Sequence, residues 1–116
     1  MRRLISFVVV VVALAIPTVA QPAELSNGAS QNCDGIAVWH FVNNQTGGAG
    51  AGFLEADFTI DGVAVTLTAS PSSVLKSTQH FFIETEGDAV LVDASTNLPG
   101  RLQLSDLSCD DGGKKK

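Results

Sequence analysis

From Leu54 to Ala69 the chain alternates apolar and polar residues with a period of two, interrupted once by Asp61-Gly62. Leu54, Ala56, Phe58 and Ile60 alternate with Glu55, Asp57 and Thr59; Val63, Val65, Leu67 and Ala69 follow the interruption. A two-residue Asp-Gly turn pairs Ile60 with Val63, Phe58 with Val65 and Ala56 with Leu67. That register puts every apolar side chain on one face, so turn chemistry and pattern agree on a hairpin. The same period recurs on either side. Ile36 to Val42 predicts a first strand. Gln79 to Thr85 and Ala89 to Ala94 predict a second hairpin around Glu86-Gly87-Asp88, with Phe81, Ile83, Val90 and Val92 facing in. Leu102 and Leu104 begin a last strand that runs toward Cys109. The run Gly47-Gly48-Ala49-Gly50-Ala51-Gly52 is a flexible connection that would not hold a helix. Ser70-Pro71-Ser72-Ser73 and Asn97-Leu98-Pro99-Gly100 punctuate the rest. About six or seven short strands without helical periodicity predict an all-β fold, an antiparallel β-sandwich.

The two ends of the chain follow different rules. Arg2 and Arg3 precede the almost unbroken apolar run Leu4 to Ile16, and Thr18-Val19-Ala20 offers small residues beyond it. This is the order of a secretory signal peptide, residues 1–20, with cleavage after Ala20 or, alternatively, after Ala23. A membrane anchor is the competing reading, but the run is shorter than the roughly 20 residues that a spanning helix needs. Residues 21–32 are polar and rich in small side chains, a flexible lead-in. Residues 33–109 form the β-sandwich domain, and 110–116 a polar basic tail. Cys33 and Cys109 bracket the domain, and behind an export signal a single closing disulfide is the economical reading. The protein is then secreted or extracellular, with no transmembrane segment after cleavage.

Charge narrows the partners. The whole chain carries −5; losing Arg2 and Arg3 with the leader leaves five basic residues against twelve acids, a net −7. Three of those five are Lys114, Lys115 and Lys116, so the domain itself keeps only Lys76 and Arg101. Nucleic acid as partner is excluded, because phosphate binding needs clustered Lys and Arg.

The segment Trp39-His40-Phe41-Val42-Asn43-Asn44-Gln45 is the densest group of distinctive side chains. Alternation sends Trp39 and Phe41 to one face and His40 to the other, with Trp39 as core anchor. His80 also lies on a strand beside aromatics. The two histidines could meet across adjacent strands and hold a metal with a carboxylate such as Glu84 or Asp93. No His-x-His spacing supports this, and no metal site is assigned. Glu84, Glu86 and Asp88 around a turn, and Asp110-Asp111, raise a Ca²⁺-stabilised extracellular module as an alternative, though no known calcium-loop spacing is met. A small secreted hydrolase or enzyme inhibitor is a further alternative. However, none of the serines sits in a Gly-x-Ser-x-Gly elbow or beside a histidine. No catalytic residue and no cofactor are expected. Asn44-Gln45-Thr46 fits a glycosylation sequon. Phe53 and Phe82, on outward phases, are with His40 and His80 the candidates for an interaction surface.

Cys33-Asp34-Gly35, Trp39-His40-Phe41-Val42-x-Asn44-Gln45, Gln79-His80-Phe81, Val92-Asp93-Ala94-Ser95 and Leu102-x-Leu104-Ser105 together resemble small secreted β-sandwich modules of unknown function from Gram-positive, often actinobacterial, bacteria. The resemblance spans nearly the whole mature chain and rests mainly on the Trp-His-Phe-Val-x-Asn-Gln element. It implies an immunoglobulin-like sandwich with a terminal disulfide and transfers no catalytic residue. Trp39 follows Cys33 by only six positions, unlike antibody-type domains, where it lies on the strand after the first cysteine. The expected function is a secreted or cell-surface binding or structural module whose partner is an extracellular protein or glycan.

Overall fold

The computed structural model describes residues 22–110; the predicted signal peptide, Gln21 and residues 111–116 of the tail lie outside the described residues. The described chain is all-β, with β1 (Asn32–Asn44), β2 (Leu54–Ile60), β3 (Val63–Ala69), β4 (Ser73–Val74), β5 (Thr78–Thr96) and β6 (Arg101–Asp110). Antiparallel ladders join them into one six-stranded sheet, ordered β3-β2-β5-β1-β6, with β4 beside β5. The Asp-Gly hairpin has the expected register, Ile60 opposite Val63, Phe58 opposite Val65 and Ala56 opposite Leu67. Asp61 and Gly62 both take positive φ, 51° and 82°, as a tight hairpin turn matched to strand twist requires.

The second hairpin does not exist. Residues 78–96 are one strand of 19 residues that continues through Glu86-Gly87-Asp88. Alternation therefore continues through the bend, burying Gln79, Phe81, Ile83, Thr85, Ala89 and Leu91; Val90 falls on the opposite phase, half-buried, and a register shift against β2 leaves Val92 52% exposed, so neither faces in. A turn composition has become a bend. Gly87 sits opposite Gly35 in the β1 ladder, and the two glycines have φ of 105° and 143°. Here the sheet doubles over. Trp39 pairs with Ile83 and Phe58 with Leu91, eight residues apart along β5, or about 26 Å if extended. Their rings nevertheless meet edge to face at 5.0 Å. Only a folded β5 allows that contact.

Between the two limbs lies the core: Trp39, Phe41, Phe58, Phe81, Leu54, Leu91 and Leu102, all fully buried. The Trp39 indole N–H donates to the Thr85 hydroxyl at 2.9 Å, so the largest core side chain is also polar-satisfied. The Cys33–Cys109 disulfide, with Cα atoms 5.7 Å apart, ties the start of β1 to the end of β6. The lead-in completes the closure. Leu25 N donates to Ala94 O and Ser26 N to Leu102 O, so residues 23–26 stitch the far limb of β5 to β6. Where composition suggests a flexible segment, backbone ladders hold it, and Ala23 is buried. The glycine-rich connection is held by one side chain. Gln79 accepts from Gly52 N and donates to Gly50 O, each at 2.8 Å, standing in for a missing strand.

Gly87→Ala is expected to cost roughly 1–3 kcal/mol, since any Cβ must adopt the strained φ. The approach to the Asp61 carboxylate, 2.7 Å from that Cβ, adds less because a side-chain end can yield. Urea denaturation gives the value, and an unchanged midpoint would contradict the hinge. The bridge spans 76 residues of sequence, and in chain-entropy terms its removal in the Cys33→Ser/Cys109→Ser variant lowers unfolding free energy by about 4–5 kcal/mol. A loss under 1 kcal/mol in the same assay, roughly an ordinary surface change, would show that the lead-in and core close the sheet without it.

Candidate functional site

The outer face of β5, β1 and β6 carries the chain's two histidines. Alternation turns His80, Phe82 and Glu84 outward on β5, as it turns Val38 and His40 outward on β1; Val42 shares their phase but is buried. The ladder places His40 between Phe82 on one side and Asp106 on the other, with His80 diagonal to it. His40 and Phe82 lie face to face, ring centroids 4.4 Å apart and planes 8° from parallel. His40 Nε2 and His80 Nδ1 share a hydrogen bond of 2.9 Å. Their centroids are 5.1 Å apart, about the nitrogen separation plus two ring radii, so these rings meet edge to edge with planes 22° apart. Phe82, 46% exposed, covers one face of His40, and His80 meets His40 at its edge.

A bulge delivers Asp106 to this row. The β1–β6 register shifts between His40 and Phe41, so Leu104 faces Phe41 and Asp106 faces His40, with Ser105 left over. Inward leucines mark the shift in the sequence: Leu102 and Leu104 are two apart, but Leu107 comes three later. Asp106 was not among the expected site residues, and this change of phase is the signal that would have found it. A polar depression of about 280 Å³, lined by Asn27, Gly28, Ser105 and Asp106 among others, borders the row on this side.

His40 has its pKa pushed below the ordinary 6.5, first by burial, then by the neighbouring His80, with Asp106 opposing. Two imidazoles sharing one proton between facing nitrogens hold together only while one of those nitrogens is unprotonated. Across the face, Ser73 of β4 pairs with His80, but among the described residues no hydrogen bond joins its hydroxyl to the imidazole. The row thus holds two imidazoles and a carboxylate.

The remaining candidates scatter. Phe53 is 42% exposed but stands before β2, its N–H bound to Asn97 Oδ1, in a depression shared with Pro22 and Ser95. It belongs to the far end of β5 and does not join Phe82. Glu84, Glu86 and Asp88 lie along one strand in place of ringing a turn, and Asp93 faces Asp57 on the far limb. Among the described residues no group of three or more His, Cys, Asp or Glu side chains gathers to hold a metal, and no helix is long and apolar enough to cross a membrane. In the sequon, Asn44 is half-buried with its Oδ1 accepting from the Thr78 hydroxyl, and Thr46 is buried. Compared with known families, curated proteins and solved structures, the chain matches none.

Because His40 binds a proton less readily folded than unfolded, the unfolded state holds more protons just below the ordinary pKa. Stability is then full above 6.5 and falls as the pH drops toward the lowered folded pKa, below which this contribution is gone. Urea midpoints measured between about pH 7.5 and 5.5 should decline in the native chain and decline less in His40→Gln. Parallel slopes for the two proteins would mean that His40 is not held neutral.

Proposed function

We propose that the chain is an exported, disulfide-clamped β-sandwich module of immunoglobulin-like type that binds an extracellular protein or glycan and has no catalytic activity. One observation carries the binding face: exposed Phe82 stacked on His40 at 4.4 Å, with His80 hydrogen-bonded to His40 beyond it. A ring stacked on its cross-strand neighbour loses little conformational freedom on contact, and Phe82 offers an apolar surface beside polar nitrogens. A sugar ring's apolar side or an apolar partner side chain fits such a surface. Burial of Ala23, bonded through its backbone to Thr96 and Leu98, supports cleavage after Ala20 over cleavage after Ala23. The Cys33–Cys109 bridge is compatible with an oxidising compartment. The resemblance to secreted Gram-positive modules points the same way.

Intact mass of the protein recovered from medium tests export. Residues 21–116 with thiols that react only after reduction is the expected result, and a full-length chain retained with cells overturns it. Arrayed glycans and extracellular proteins test binding. Phe82→Ala should weaken capture roughly tenfold or more, as loss of a central aromatic anchor does, while Phe53→Ala leaves it unchanged. The reverse ranking would move the binding face to the other end of β5.

A further inference from the structure

The two outer edges of the sheet are protected unequally. The free side of β6 is guarded: the lead-in bridges it at Leu102, Asn27 Oδ1 accepts from Leu104 N, a bulge interrupts it, and Arg101, Asp106 and Asp110 charge it. Such devices keep an edge strand from pairing with another chain. β3 has none of them. Val63 to Ala69 contains no charge and no proline, its ladder has no register shift, and Val63, Ala64, Thr66 and Thr68 are exposed.

The Asp61-Gly62 turn decides which backbone groups β3 leaves free. In a two-residue hairpin the closing pair exchanges both hydrogen bonds, and every second pair after it does the same. Those pairs are Ile60–Val63, Phe58–Val65, Ala56–Leu67 and Leu54–Ala69. The N–H and C=O of Ala64, Thr66 and Thr68 therefore point away from β2. Among the described residues no backbone hydrogen bond from outside the hairpin reaches them. This row is complementary to itself. A second β3 laid antiparallel about Thr66 sets Thr66 against Thr66, and Ala64 against Thr68 on either side. Each of these three pairs exchanges two hydrogen bonds, six in all. On the inner face half-buried Val65 then lies against the other copy's half-buried Leu67. We propose that the chain forms a two-fold homodimer in which β3 pairs antiparallel with β3 of a second copy, centred on Thr66.

Charge favours a second copy at this edge and not elsewhere. The domain is acidic, so copies of it repel except along a neutral strip, and β3 is one. The nearest acids, Glu55 and Asp57, lie one strand back, with the Thr66 hydroxyl donating to Asp57 at 2.7 Å. Across the seam the two copies of Asp57 are three strand spacings apart, about 14 Å, beyond the ~8 Å screening length of physiological salt. Seven residues a side fall well short of the roughly 20–30 of a standard interface, so the dimer is a reversible one. The seam does not involve the row of His40, His80 and Phe82, and it stands or falls independently of what that row binds.

Sedimentation of the mature, disulfide-closed chain from about 10 µM to 1 mM tests this, with the mass expected to rise from one chain toward two. Thr66→Pro removes an N–H that β2 does not use and should weaken dimerisation roughly tenfold or more. Leu75→Ser, which removes an exposed apolar side chain outside the seam, should not. Circular dichroism and Trp39 emission report whether the variants fold. Should Thr66→Pro not fold, amide exchange in the native chain decides. The Ala64, Thr66 and Thr68 amides must slow together as concentration rises, while Val65 and Leu67 are protected throughout. A dimer that leaves those three amides unchanged, or assembly that continues past two chains, overturns the proposal. So does a chain that stays monomeric to about 1 mM; protection of the same amides by an unrelated extended peptide would then assign the edge to a different partner.

Discussion

The fold depends on one pair of backbone positions. Gly35 and Gly87 face each other across the β1–β5 ladder, both at φ values that a side chain disfavours. Were either strand straight, Trp39 and Phe58 would lie on distant stretches of a flat sheet, and neither limb could cover the other. Bent together, they bring the two apolar halves into contact, carry Cys33 back over the end of β6, and open the slot that the lead-in fills. Asp61 holds the bend from the hairpin turn: its N–H donates to Asp88 O, and its carboxylate accepts from Asp88 N, both at 2.9 Å. Burial, bridge and stitching all follow from that crease.

What can be read from the sequence is what local chemistry decides. The Asp61-Gly62 hairpin is legible residue by residue because the turn type and the alternation carry the same information. The closing bridge is legible because only two cysteines exist. Glu86-Gly87-Asp88 misleads because its composition suits a reversal and a bend alike, and only the partner strand's Gly35 distinguishes them. The lead-in misleads for the opposite reason. Its ordering comes from backbone hydrogen bonds, which leave no mark in a hydrophobic pattern.

The site divides in the same way. That His40 and His80 face outward follows from strand phase. That they touch depends on the β1–β5 register, which pairs residues some forty positions apart and is set by the whole ladder. Strand phase alone offers Glu84 or Asp93 as a carboxylate partner for the histidines. The acid that faces His40 is Asp106, on the strand nearest the C-terminus, aligned by a one-residue bulge. Phe53 has the right phase and the wrong address.

The lead-in and the bridge also impose an order in time. Residues 23–26 are seated on β5 and β6, and Cys33 waits for Cys109, so the earliest part of the domain is completed by the latest. A chain that emerges from its N-terminus therefore cannot complete this closure until β6 is present, and the domain's first residues are held by its last.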